Sequence, residues 1–294
     1  MTATRAPLVS IGMPVYNGGE EMCEAIESIR TQTLADFELI VSDNASTDDT
    51  PAIIERYTRS DPRVRYVRIA KNVGVNPNYC HVFRLSRGTY FKWASSNDLL
   101  DATFLARCVA ELERDPSIAL CFSNTGLFTA SIADARPYED NLDLVGSDPV
   151  SRFDHVIADM RLNNALNGVV RSSVLRRTAL IPDYDPSDVV LIAEIALNGK
   201  IRRLEDTLFF RRMSAASATK LKSREELMST YYVNKSFGTY FPAIRQTGGY
   251  LGATVRAPLS VRDRLRMLRR VGRSAYWDLR NVLRGVAGGG DRQR

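Results

Sequence analysis

Over its first 125 residues the chain alternates short apolar runs with helix-length segments of 3.6-residue periodicity, which restricts the fold more than any other feature. Leu8 to Val15, Phe37 to Ser42, Val64 to Ile69, Thr89 to Ala94 and Ile118 to Phe122 read as strands. The second is nearly all apolar, the pattern of a strand covered on both faces. Between them Met22, Ile26 and Ile29 mark one helix, and Ile53, Ile54 and Tyr57 a second. Tyr79 to Leu85 marks a third helix, and Phe104, Leu105, Cys108, Val109 and Leu112 share one face of a fourth. Ser46 with Asp49 forms an acidic capping pattern ahead of the second helix, with Pro51 in its first turn. Strands separated by helices need crossover connections, so the pattern predicts an α/β fold around a mostly parallel sheet flanked by helices.

Such sheets bind ligands outside the carboxyl ends of their strands. The positions to inspect are therefore Tyr16-Asn17, Asp43-Asn44, Lys71-Asn72 and Ser95 to Asp98, which are polar throughout. No G-x-G-x-x-G follows the first strand and no G-x-x-x-x-G-K occurs, which argues against a dinucleotide oxidoreductase and a P-loop enzyme. The second half is less regular. Thr125 to Asp154 reads as loop-rich, Asn167-Gly168 as a turn and Ser173 to Thr178 as a short helix. An apolar helix from Asp188 to Asn198 is closed by Gly199, and Ile201 to Phe210 is extended.

The net charge of +6 would suit a nucleic-acid partner, but its distribution excludes one. From Val261 to the end there are ten Arg and three Asp, and the remainder carries 30 basic and 31 acidic residues. The excess belongs to the tail. There Leu265, Leu268, Gly272, Ala275, Leu279, Val282 and Val286 recur at helical spacing, with Arg264, Arg269, Arg270, Arg273, Arg280 and Arg284 mostly elsewhere. A basic amphipathic helix containing Tyr276 and Trp277 either lies in the interface of an anionic membrane or packs on its own domain, arginines outward. Ala287 to Arg294, rich in Gly and charge, reads as disordered.

No run approaches the 18 apolar residues of a membrane span, and Met1 to Pro7 lacks a signal-peptide layout, so a cytoplasmic protein is expected. Cys23, Cys108 and Cys121 sit among apolar neighbours and read as buried free thiols. With only His81 and His155, a His-rich zinc site is excluded.

Several blocks in order carry a family likeness. Val9-Ser10-Ile11-Gly12-Met13-Pro14-Val15-Tyr16-Asn17-Gly18-Gly19 resembles the opening of glycosyltransferase family 2, whose catalytic domain has the GT-A fold. Val41-Ser42-Asp43-Asn44-Ala45-Ser46-Thr47-Asp48 resembles its second strand and D-x-S-x-D turn. Asn72-Val73-Gly74, Asn78-Tyr79 and Gly88-Thr89-Tyr90-Phe91-Lys92-Trp93-Ala94 are similar to later blocks, Ser187 to Leu197 to the acceptor-side helix, and Arg211-Arg212-Met213 to the segment closing the site. The likeness runs from about Val9 to Ser217.

The resemblance implies transfer of a sugar from a nucleoside-diphosphate sugar, of UDP or dTDP type, to a hydroxyl acceptor with inversion. Asp43 matches the position that bonds the base, where a carboxylate accepts from a ring N–H, and Pro14, Tyr16 and Asn72 match the nucleoside-binding blocks. The family's adjacent acids after the fourth strand are here Asn97-Asp98, leaving Asp98 as the ligand for Mn²⁺ or Mg²⁺. Ser214 stands where relatives often have a His, so one metal ligand is missing. Arg211 and Arg212 supply positive charge near the diphosphate. Asp188, by its match at the start of the acceptor helix, is the catalytic base, with Glu194 a weaker candidate. Asn164, Asn167 and Arg171 read as surface loop.

The implied organisation is a nucleotide-sugar-binding half over residues 1–125, an acceptor-binding half of the same domain over 126–220, and a helical, basic extension over 221–294. The expected acceptor is a glycan or lipid-linked molecule of cell-envelope, glycolipid or glycoconjugate synthesis, met at the inner membrane face. Asn97 and Ser214 also leave open an impaired, nucleotide-sugar-binding subunit. A nucleotidyltransferase is disfavoured because Tyr16 to Glu21 is acidic where that chemistry needs a basic phosphate loop.

Overall fold

A computed structural model of the protein describes residues 5–213 and 242–288, the side chains of 242, 243, 274 and 276–288 excepted. Ser214 and the residues from 289 onward therefore lie outside the described part, as do the Tyr276 and Trp277 side chains.

The sheet starts as the alternation predicts. Strands β1 (Val9–Val15), β2 (Phe37–Asp43), β3 (Val64–Arg68) and β4 (Tyr90–Trp93) are parallel neighbours in the order β3-β2-β1-β4. They are joined through helices α1 (Glu21–Arg30), α2 (Thr50–Ser60) and α3 (Val75–Arg84). After β5 (Leu99–Leu100) and α4 (Phe104–Arg114) the chain adds β6 (Ile118–Phe128), β7 (Arg136–Tyr138), α5 (Pro149–Asp159), β8 (Val169–Arg171) and α6 (Ser172–Leu175). Then follow α7 (Ser187–Asn198), β9 (Lys200–Arg212), α8 (Pro242–Arg256) and α9 (Val261–Gly288).

The sheet continues β4-β8-β6-β9-β5, with β8 antiparallel to both β4 and β6, while β6 and β9 are parallel. It is thus a mixed sheet whose parallel half holds the strand ends singled out above. The segment expected to be loop-rich instead extends β6 to Phe128 and forms α5, because Val150, Phe153 and Val156 fall on one buried helical face.

Two cores cover the sheet. On one face α1, α2 and α4 pack through Met22, Ile26, Ile53, Ile54, Leu105 and Leu112; on the other, α3, α5, α7 and the C-terminal helices pack around Phe91, Trp93, Phe153 and Leu191. Alternation along β4 divides Tyr90 from Phe91 between them. Gly88 is required beside β1, since a Cβ there would lie 2.5 Å from Ser10 N.

Two sequence expectations need correction, on Ser46 and on the thiols, and of the two readings of the tail helix one is narrowed. Ser46 does not cap α2: its hydroxyl accepts from Asn17 N at 2.9 Å, and the helix begins at Thr50. Cys80 is buried with Cys108 and Cys121, whereas Cys23 is partly exposed on α1. On α9 the stripe containing Leu265 and Leu268 does not face the protein. Met267 and Val271, about a quarter-turn or more round the helix, are the buried residues, and Leu265 and Leu268 remain 50% and 42% exposed. Arg266 and Arg270 pair with Asp148 and Asp154 of the α5 region and fix that rotation.

Candidate active site

The turns at the carboxyl ends of β1, β2 and β3 are laced together. Asn17 Oδ1 accepts from Thr47 N, Gly18 N donates to Thr50 Oγ1 and Gly19 N donates to Asp48 Oδ2. Asn44 donates to Asn72 Oδ1 at 2.9 Å and accepts from Val73 N. Asn17, Ala45, Gly19 and Gly74 all have positive φ there. Asn and Gly tolerate that conformation, and Ala45 is held in it by the surrounding bonds. These contacts tie together the strand ends that carry Pro14, Tyr16, Asp43 and Asn72, and Tyr16 is 50% exposed there.

Asp43 is fully buried. Its Oδ1 accepts from Ser46 N at 2.7 Å, and its Oδ2 from Tyr66 Oη at 2.8 Å and Arg68 Nη1 at 3.1 Å. The half-exposed Arg68 side chain covers this carboxylate from the solvent side.

Beyond β4 lies the charged centre. Asp98 Oδ1 accepts from Arg212 N at 2.9 Å. Burial pushes the Asp98 carboxyl up to about 6, against that N–H and the positive charges of Arg211 and Lys92. Asn97 Oδ1 accepts from Ser95 Oγ at 2.6 Å. Arg212 is 6% exposed and engaged by the protein: Nε with Asn97 O, Nη2 with Glu24 Oε2 at 2.5 Å, and its plane over Phe128. It positions the Asp98 loop and does not reach into the cleft, contrary to the diphosphate role expected of it. Arg211, one residue earlier on β9, points to the opposite side and donates to Asn164 Oδ1 at 2.9 Å.

Asn164 is the joint of the site. It is 1% exposed, not surface loop as expected, and donates to Asp140 Oδ1 at 2.9 Å. Burial raises the Asp140 carboxyl, while Thr125, Asn164 and the Arg203 and Arg211 charges oppose the rise. The adjacent Asn163 donates to Asp188 Oδ2 at 2.9 Å, and Asp188 Oδ1 accepts from Val189 N. Asn163 Oδ1 is buried with no partner, a deficit of about 1–3 kcal/mol unless a ligand donates to it. The Asn163-Asn164 pair thus bonds Asp188 on one side and Arg211 on the other, and Arg211 adjoins Arg212, whose backbone N–H holds Asp98. Asn163, Asn164 and Asp140 carry no motif in the sequence; only the polar run Asn163-Asn164 marked the place.

Other candidates are structural. Glu194 is fully buried and held by Arg256 at 2.7 Å, and Arg171 donates to carbonyls at the end of α4. Lys92 is buried on β4 with its ammonium on Trp93 O and Asn167 O and over the Phe104 ring.

Among the described residues no three His, Cys, Asp or Glu side chains form a metal cage. One carboxylate backed by donor phosphates is nevertheless a sufficient oxygen set for Mg²⁺-like ions. Asp98 therefore fits an ion that arrives with a diphosphate. No helix among the described residues is long and apolar enough to cross a membrane.

Comparison with known proteins agrees with this fold. The profile described as glycosyl transferase family 2 matches residues 10–180. A chondroitin synthase of Escherichia coli is 35% identical over 122 residues, covering 42% of this chain and 18% of that protein. The chain thus spans less than a fifth of that relative's length. Among solved structures, Staphylococcus aureus TarS 1–349 in complex with UDP superposes with a TM-score of 0.62 at 16% identity, over 90% of this chain and 70% of that one. The mannosyltransferase PcManGT from Pyrobaculum calidifontis, in complex with GDP-Man and Mn²⁺, gives 0.53 at 16% identity, over 99% and 77%. The shared architecture is the GT-A fold.

Proposed function

Because the chain belongs to glycosyl transferase family 2 and is a glycosyltransferase, we propose that it transfers a sugar, with inversion, from a UDP- or dTDP-sugar to a hydroxyl acceptor. The observation carrying this reading is that the Asn163-Asn164 pair bonds both Asp188 and Arg211, and that Arg211 adjoins Arg212 on β9, whose backbone N–H holds Asp98. In this reading a carboxylate on the phosphate side and one on the acceptor side rest on one support.

In this reading Tyr16 and Pro14 pack on the nucleoside, Asn72 borders it, and Asp43 accepts from the imide N–H once Arg68 withdraws. Asp98, with the Asn97 side beside it, would hold Mn²⁺ or Mg²⁺ against the diphosphate, and the ion supplies charge neutralisation of the leaving group. Arg211 adds a guanidinium on the diphosphate side, and Arg212 keeps Asp98 in place. Asp188 removes the proton of the acceptor hydroxyl as its oxygen attacks the anomeric carbon opposite the departing diphosphate. The transition state is oxocarbenium-like, so the same carboxylate also faces developing positive charge.

The acceptor proposed is a cell-envelope glycan or a lipid-linked saccharide met at an anionic membrane surface. Of the nine large apolar side chains exposed among the described residues, six lie on α8 and α9. On α9, Val261, Leu265 and Leu268 form a ridge beside Arg262, Arg269 and Arg273, a pattern suited to anionic headgroups. Residues 1–125 and 126–220 then act as donor and acceptor halves of one catalytic domain, and 221–294 as its membrane-facing extension.

The test is release of nucleoside diphosphate from a panel of UDP-, dTDP- and GDP-sugars with Mn²⁺ and envelope acceptors. Acceptor-dependent release from a UDP- or dTDP-sugar supports the reading. Release confined to GDP-sugars, or none from any donor, refutes it.

A further inference from the structure

A second recess lies at the other end of the molecule. Its volume is about 440 Å³, and it opens where β6 and β9 begin, bordered by Ile118, Ala119 and Lys200. Phe128, which pairs with Arg212 beside the Asp98 loop, is ten residues further along β6, about 30 Å away at the rise of a strand. The recess is therefore separate from the catalytic cleft.

Its walls carry Arg152, Arg171, Arg177 and Lys200, with Ser147 and Ser173 at the rim. Lys200 is neutralised by Asp115 at 3.1 Å. Among the described residues, no carboxylate lies within ion-pair distance of the three arginines. The nearby acids are occupied elsewhere: Asp148 is held by Arg266, and Glu113 bonds the Tyr90 hydroxyl.

Each guanidinium is instead fixed by neutral oxygens. Arg152 donates to Ala196 O and Gly146 O, Arg171 to Ile118 O at 2.7 Å and Leu112 O, and Arg177 to Asn198 Oδ1 at 3.2 Å. Arg152 is nine-tenths buried, yet its Nη2 bonds no protein group and is not sealed from solvent. Carbonyl contacts satisfy donors without cancelling charge. The result is a recess lined by three guanidinium groups bonded to neutral oxygens, with the Asp148 carboxylate acting on Arg152 only at a distance, and low-dielectric walls concentrate such a field.

We propose that this recess binds a small soluble anion bearing a phosphate or diphosphate group. Guanidinium edges match phosphate oxygens in pairs, the serine hydroxyls at the rim add neutral donors, and the volume suits a compact metabolite. The proposal is independent of the donor-sugar reading, because no residue of the catalytic cleft takes part.

Inorganic pyrophosphate is titrated calorimetrically into the full chain without divalent cations, for the wild type, Arg177→Gln and Asp98→Asn. Arg177 is exposed at the rim, so its variant keeps the fold, which an unchanged melting temperature verifies. The expected result is binding by the wild type, unchanged in Asp98→Asn and weakened about tenfold or more in Arg177→Gln, the loss of one charge-assisted contact. No binding by the wild type, or an affinity that Arg177→Gln leaves unaltered, overturns the proposal.

Discussion

Asn163 donates its side-chain amide to Asp188 Oδ2 at 2.9 Å, while Val189 N bonds the other carboxylate oxygen. The acid at the start of α7 is thereby held from both sides, and the element that holds it also carries Asn164, the contact of Arg211. Asp188 and Arg211 thus share one support.

Removing the proposed base separates chemistry from binding. Asp188→Asn keeps the shape and is expected to leave nucleoside diphosphate affinity unchanged while transfer falls about 10²-fold or more. Asn163→Ala removes only the orienting bond, so a smaller loss, about tenfold in kcat with donor KM retained, is expected. Steady-state kinetics and nucleotide titration check both. Full transfer by Asp188→Asn would remove that residue from the reaction.

The phosphate side is tested by comparing ligands that differ only there. Arg211→Gln is expected to weaken UDP about tenfold and uridine not at all, since a guanidinium–phosphate contact is charge-assisted. Equal weakening of both would show that the variant disturbs the Asn164 joint and not a phosphate contact.

Lys92 gives a pH dependence of stability. Burial pushes its ammonium down to about 7, whereas an unfolded lysine titrates near 10.4. Between these values the unfolded chain binds more protons, so this group makes stability rise with pH by up to about 1.4 kcal/mol per unit. Below pH 7 the ammonium is protonated in both states and the full burial penalty applies. Urea unfolding of wild type and Lys92→Met at pH 7 and 9 should therefore show the wild type gaining about 2 kcal/mol on the variant. A difference independent of pH would place a compensating charge beside the amine.

The ridge on α9 is testable without disturbing its packing. Leu265→Ser with Leu268→Ser leaves Met267 and Val271 in the core and is expected to abolish co-sedimentation with anionic vesicles. The wild type should lose binding as salt rises. Undiminished sedimentation of the double variant would place the contact elsewhere.

The parallel half of the fold was legible because buried strands and helix faces leave local periodicity. β4 shows it well: Tyr90, Phe91 and Trp93 declare a core strand, and the polar run to Asp98 declares its end. The antiparallel half was hidden, since β8 is three residues long and β5 only two, defined by partners distant in sequence. The same holds within the site. Asp98 and Asp188 were recognisable from ordered blocks, whereas Asn163, Asn164 and Asp140 acquire meaning only when β6, β9 and the turn at Asn164–Asn167 converge. Arg212 was misjudged, and the two readings of the α9 stripe stayed open, for one reason. Helical or strand spacing tells which residues share a face, but not which face meets a neighbour.

The central claim is that one cleft grips a nucleotide diphosphate at Asp98 with Asp188 across from it. A crystal structure of the full chain with UDP and Mn²⁺, phased at the manganese edge, measures this directly. The account predicts an anomalous peak bridging the diphosphate and Asp98, the uracil near Asp43 with Arg68 displaced, and the space between the metal and Asp188 open to an acceptor. A nucleotide bound elsewhere, or Asp188 walled off from the diphosphate, would contradict it.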